Sequence, residues 1–63
     1  MRRELQTEQM RRRILDSALE VFGAEGYDGA SMNAISTRAG ISKGIIYHYF
    51  AGKEDLYLSC CRE

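Results

Sequence analysis

The chain has no apolar run approaching the roughly 18 residues needed to span a bilayer, and no signal-peptide pattern at its start. These two absences make the cytoplasm the expected compartment. It has a single histidine, with no histidine–carboxylate constellation, no set of metal ligands and no glycine loop able to cradle a phosphate. Nothing stands ready to carry catalysis, so an enzyme is rejected, and no cofactor or metal is expected. Cysteine is scarce: Cys60 and Cys61 are the two, and they are adjacent. Neighbouring residues can close only a strained ring disulfide, and one pair without histidine or further cysteine cannot complete a zinc site. They read as reduced thiols on a helix. Net charge is also missing. Nine basic side chains balance nine acidic ones at a pI of about 6.6, far from the pI above about 9 that usually marks a nucleic-acid binder. There is no repeat, linker or low-complexity segment.

What is present is the balance of a small globular domain, 63 residues with 44% hydrophobic and 29% charged content, near the lower size limit for folding without a staple or partner. The charges are not evenly spread. Arg2, Arg3, Arg11, Arg12 and Arg13 make the first thirteen residues net positive, Asp16, Glu20, Glu25 and Asp28 follow, and Arg38, Lys43 and Lys53 gather around His48. A basic face and an acidic face are therefore compatible with zero net charge.

Apolar periodicity predicts an all-α fold. Residues 1–7 read as a flexible basic arm and residues 8–63 as one domain, with helices over about 8–24, 32–39, 43–50 and 53–63. Ile14, Leu15, Ala18, Leu19, Val21 and Phe22 recur at helical spacing in the first. Gly26 is its expected stop, Tyr27 is expected to anchor the following loop in the core, and Asp28-Gly29 marks a turn. Ser31 caps the second helix. Glu54 and Asp55 sit in the first turn of the fourth, where carboxylates favour the positive end of the helix dipole. Leu56, Tyr57, Cys60 and Cys61 continue an apolar stripe to the last residues, and no stop signal follows, as at a cut.

The most informative stretch is Ile35 to Lys53. Ile35 and Ala39 lie one helical turn apart, Gly40 supplies the left-handed position that ends a helix, Ile41 is an apolar turn residue that needs a core to lean on, and Ser42 is a good N-cap. Ile46 with Tyr49 or Phe50 then faces inward, leaving Lys43, Gly44, Ile45, Tyr47 and His48 outward. Two short helices joined by a tight glycine turn are the helix-turn-helix, whose second helix enters the DNA major groove. The architecture expected is a homeodomain-like three-helix bundle with the start of a fourth helix.

On this reading Ser31 and the first amides of the second helix make a phosphate seat. Tyr47, His48 and Tyr49 hydrogen-bond phosphates, and Lys53 is a second clamp. Base reading falls to Lys43, which can donate to guanine, to Gly44, which permits close approach, and to Ile45, which can meet a thymine methyl; Asn33 is a further groove candidate. Each has a plainer rival: Ser31 and Ser42 cap helices in any case, a lone Lys43 is usually solvated, Tyr49 could be buried, and Arg11-Arg12-Arg13 could be a wet helix face. Order and spacing together favour DNA. The competing class is a helical protein-interaction module that kept the fold without DNA contact.

The chain also resembles the N-terminal DNA-binding domain of the tetracycline-repressor (TetR) family of bacterial transcription regulators. The likeness is carried by Ile14 to Phe22, Gly26-Tyr27, Ser31, Ile35, Ala39 to Gly44, Tyr47-His48-Tyr49-Phe50 and Lys53-Glu54-Asp55-Leu56. Ser36, Ile45 and Ala51-Gly52 depart from the usual pattern. The resemblance implies phosphate roles for Ser31, Tyr47, Tyr49 and Lys53, and double-stranded DNA as the partner, a palindromic operator when dimeric. It further implies a C-terminal ligand-binding and dimerisation domain, absent here, a homodimeric parent with a small-molecule effector, and repression as the usual mode. These 63 residues alone are expected to be monomeric.

Overall fold

A computed structural model describes residues 2–62, with side chains from Glu8 onward. Among them the chain forms four helices and no strand: α1 (Arg2–Gly29), α2 (Met32–Ala39), α3 (Lys43–Tyr49) and α4 (Lys53–Arg62). Each helix contributes one large, fully enclosed aliphatic side chain, Ile14, Ile35, Ile46 and Leu56, all at 0% exposure. Around this quartet close Leu15, Ala18, Val21, Phe22, Ala30 and Phe50. Enclosing one such aliphatic is worth about 1.5–3 kcal/mol, so the four anchors together hold the helices to a common centre. α1 packs on both α2 and α4, and α3 is held mainly through α2.

The stripe on α1 follows from its phase. Ile14, Ala18 and Val21 stack with Leu15 and Phe22 alongside, while Leu19 lies roughly 100° further round than Ala18 and is 59% exposed. At its start, residues 2–7 continue the helix where an arm was expected. Arg2 to Gln9 includes neither proline nor glycine, so nothing in it breaks the hydrogen-bond ladder once α1 has formed. At its far end Gly26 leaves helical geometry (φ 78°, ψ 166°), yet a further turn follows to Gly29, closed by the Ala30 amide donating to the Gly26 carbonyl at 3.0 Å. The glycine breaks the helix without ending it. Tyr27, expected inside, stands at the margin of the core, 38% exposed. Its ring stacks on Phe22 at 5.9 Å and meets Tyr57 edge-on at 5.1 Å.

The turn into α3 is locally specified. Gly40 adopts φ 74°, ψ 29°, and the pattern of Gly40 N–H to Ser36 and Thr37 carbonyls with Ile41 N–H to Ser36 is a Schellman closure. Ile41 tucks half-buried against the core. α3 stops one residue earlier than its periodicity suggested, because Phe50 turns extended (φ −135°, ψ 144°) to bury its ring. The Arg11 guanidinium carbon then lies 5.6 Å from the centroid of that ring. Asp55 accepts the Ala51 amide at 2.9 Å, which secures the entry to α4. Neither cysteine forms a disulfide, and the Cys60 thiol donates to the Leu15 carbonyl at 3.6 Å.

Candidate nucleic-acid interface

The sequence-nominated residues fall mainly on two helices joined by one glycine turn, Ser31 and Asn33 at the start of α2 and Lys43 to Tyr49 on α3. Ser42 caps α3 by accepting the Ile45 amide at 3.4 Å. With Ile46 and Phe50 fixed inward, helical phase fixes the rest. Gly44 and His48, one turn apart, form the crest opposite the core. Lys43 and Tyr47 make one flank, and Ile45 and Tyr49 the other. Lys43, Gly44 and His48 are exposed, Ile45 is 39% exposed and Tyr47 51%, while Tyr49 is half-buried against the core with its ring 5.1 Å from His48. A seven-residue helix showing isoleucine, tyrosine and histidine to solvent has a surface suited to being covered rather than wetted.

α2 starts from a well-defined cap. Ser31 is extended (φ −136°, ψ 156°) and accepts the Ala34 amide at 3.0 Å. That satisfies one of the orphan donors of the helix start and leaves the Met32 and Asn33 amides outside the intrahelical ladder. Asn33 is exposed, and its carbonyl accepts the Ser36 hydroxyl at 2.9 Å. An open groove of about 510 Å³ lies between α1 and α2, lined by Glu20, Val21, Ala24 and Glu25 on one side and by Ser31, Asn33, Ala34, Thr37 and Arg38 on the other.

Two cations assigned to this region by sequence position are engaged with the protein. Arg38 pairs with Glu20 across the groove at 2.6 Å, so its charge belongs to the α1–α2 seam; an exposed pair of this kind stabilises little. Lys53 turns toward the α1–α2 loop, donating to the Tyr27 carbonyl at 2.9 Å and the Ala30 carbonyl at 3.2 Å, with its ammonium 4.4 Å from the Tyr27 ring centroid. These partners lie 23 and 26 residues away in sequence, and no local spacing signals them. Among the described residues no group of three or more His, Cys, Asp or Glu could hold a metal ion, and no helix is long and apolar enough to cross a membrane.

A family model described as bacterial regulatory proteins of the tetR family matches residues 14–60. Over 53 residues the chain is 40% identical to the HTH-type transcriptional repressor AcnR of Corynebacterium diphtheriae, covering 84% of this chain and 28% of that protein. Over 55 residues it is 42% identical to the HTH-type transcriptional activator FasR of Mycolicibacterium smegmatis, covering 87% and 25% respectively. In structure it is similar to a HlyIIR mutant protein, with a TM-score of 0.82 at 38% identity over 84% of this chain and 30% of that one. The chain thus spans about a quarter of the length of these curated relatives.

Proposed function

The chain belongs to the TetR family of bacterial regulatory proteins and is a helix-turn-helix, DNA-binding regulatory domain; from that premise we propose that it reads an operator through the outward side of α3 and acts in repression. The observation that carries the reading is the coincidence of a rigid glycine-closed turn with a short helix whose exposed face is apolar, aromatic and basic. Lys43, Gly44 and Ile45 enter the major groove. Lys43 donates to guanine acceptors, Gly44 lets the backbone approach, and Ile45 packs on a thymine methyl, with Asn33 reaching the groove from α2. Phosphates are held by Ser31 with the free amides of α2, and by Tyr47, Tyr49 and His48. His48, exposed on α3 beside the Tyr49 ring, can hydrogen-bond a phosphate.

The repressor assignment follows AcnR, and FasR marks activation as the alternative sign. In the cytoplasm a dimeric parent would set two such units on a palindromic operator, with a small-molecule effector governing release. The test is titration of the chain with a random-sequence duplex over a salt series. DNA binding predicts that affinity falls steeply with salt, because each neutralised phosphate releases counterions. Salt-insensitive behaviour, with Ile45 and Tyr47 capturing an apolar partner instead, would favour a protein-interaction module.

A further inference from the structure

Lys53 opens α4, yet its ammonium serves the opposite end of the reading unit. The segment it grips is the turn after the Gly26 break, which contains Gly29 as well and leads directly into the Ser31 cap. Two glycines in six residues leave that backbone little intrinsic stiffness, and no disulfide or metal fixes it among the described residues. Lys53 binds it at both ends, through the Tyr27 carbonyl at 2.9 Å and the Ala30 carbonyl at 3.2 Å. The Ala30 carbonyl belongs to the peptide immediately before the cap, and Ala30 itself is buried. One turn further along α4, Tyr57 meets the Tyr27 ring edge-on at 5.1 Å and the Phe22 ring at 5.3 Å. α4 therefore fastens the loop at two levels, by charge and by aromatic contact.

We propose that Lys53 is a positioning residue for DNA recognition: it latches the α1–α2 loop to α4 and so sets the angle at which α2 presents Ser31 and Asn33 to the duplex. This rests on the DNA-binding reading above. It differs from a direct phosphate clamp because the ammonium acts through Tyr27 and Ala30, and a direct clamp would not need the Tyr27 ring beneath it.

The difference is measurable on the 63-residue chain with Lys53→Met and Tyr27→Leu, the second leaving the Lys53 charge in place. Amide hydrogen exchange is followed at Ala30, Ala34 and Ile35, whose donors bond Gly26 and Ser31, against Gly40 and Phe50 as controls bonded elsewhere. The latch predicts exchange about tenfold faster at the first three in Lys53→Met, the weight of one charge-assisted hydrogen bond, and unchanged at the controls. It also predicts weaker binding of a random-sequence duplex by both variants, with the salt slope of Tyr27→Leu unaltered. The proposal is overturned if Tyr27→Leu binds like the unmodified chain while Lys53→Met loses about one unit of salt slope with loop exchange unchanged. Should Tyr27→Leu not fold, exchange in Lys53→Met decides alone, and unchanged loop exchange sinks the latch. If the unmodified chain shows no salt-dependent duplex binding, that failure belongs to the DNA reading, and the exchange measurement still decides whether the latch exists.

Discussion

Ile45 and Ile46 are sequence neighbours with opposite placements, 39% and 0% exposed, and trimming each to valine separates folding from reading. A domain of this length is stable by about 3–9 kcal/mol at the usual 0.05–0.15 kcal/mol per residue. Alanine at Ile46 would remove about 2–5 kcal/mol, enough to leave little folded protein to measure. Valine is the better probe. At an enclosed site Ile→Val costs about 0.5–1.5 kcal/mol, and for so small a domain each kcal/mol lowers the melting temperature by roughly 4–8 °C. Ile46→Val should therefore melt about 2–12 °C lower, most plainly near the middle of that range. Ile45→Val removes the same group from an open helix face, where substitutions usually stay within about 0.5 kcal/mol, so its melt should barely move. DNA selection should show the reverse. Ile45→Val shifts preference at the base pair its side chain meets, and Ile46→Val leaves the preferred bases unchanged once the folded fraction is matched. Thermal melts by circular dichroism and site selection from a random duplex pool read the two properties independently. Equal losses of melting temperature, or an Ile46→Val chain with altered base preference, would refute the assigned phase of α3.

Gly44→Ala should raise the melting temperature and weaken DNA binding together: its new Cβ comes 3.8 Å from the Ser42 hydroxyl, an ordinary contact, and a helix gains about 1 kcal/mol on replacing glycine, but under the proposed reading the methyl would stand where bases approach. Gly40→Ala is expected to cost about 1–2 kcal/mol through the left-handed backbone at φ 74°, whereas Gly52→Ala, with no atom within 4 Å of the added carbon, should melt near the unmodified temperature. Ser31→Ala should lose about 0.5–2 kcal/mol of stability and weaken all duplexes about equally, as salt titrations on several sequences would show. Joining two copies so that their recognition helices sit about 34–36 Å apart should raise affinity for an inverted repeat by roughly 10²–10⁴; nanomolar binding of a lone half-site by one copy would overturn that bivalent picture.

Local chemistry was the most legible part of this fold. Ser31, Gly40 and Ser42 announce their caps because capping involves residues no more than about four positions away, and the inward turn of Ile46 with Phe50 follows from helical spacing. Single residues mislead where two signals compete. Gly26 signals a stop, but the chain resumes helical geometry as far as Gly29, whose continuation delivers Tyr27 to the rings of Phe22 and Tyr57. Leu19 and Tyr27 are large and apolar or aromatic, yet the quartet of enclosed aliphatics is complete without them. The partners of Arg38 and Lys53 are not legible, since charge is visible in a sequence while what it pairs with is not. Glu20 and the Tyr27 and Ala30 carbonyls become neighbours only after three helices have packed. On the candidate interface, the exposed residues of α3 could be named from periodicity, but the crest position of His48 emerged from placing Ile46 and Phe50 inward together.

The seven residues of α3 are too few to hold a helix in water alone, since isolated helices shorter than about 12–15 residues are marginal. Its shape is borrowed from Ile46 and Phe50 in the core, so the reading surface exists only in the folded population. Recognition and folding are then one coupled equilibrium. A chain that is half unfolded binds with an apparent dissociation constant about twice its intrinsic value, and a duplex present at about 100 times that constant stabilises the fold by roughly 2.7 kcal/mol. For a domain holding about 3–9 kcal/mol in total, a duplex at that concentration would supply a substantial share of the stability, and its removal would expose the chain to unfolding as well as to diffusion.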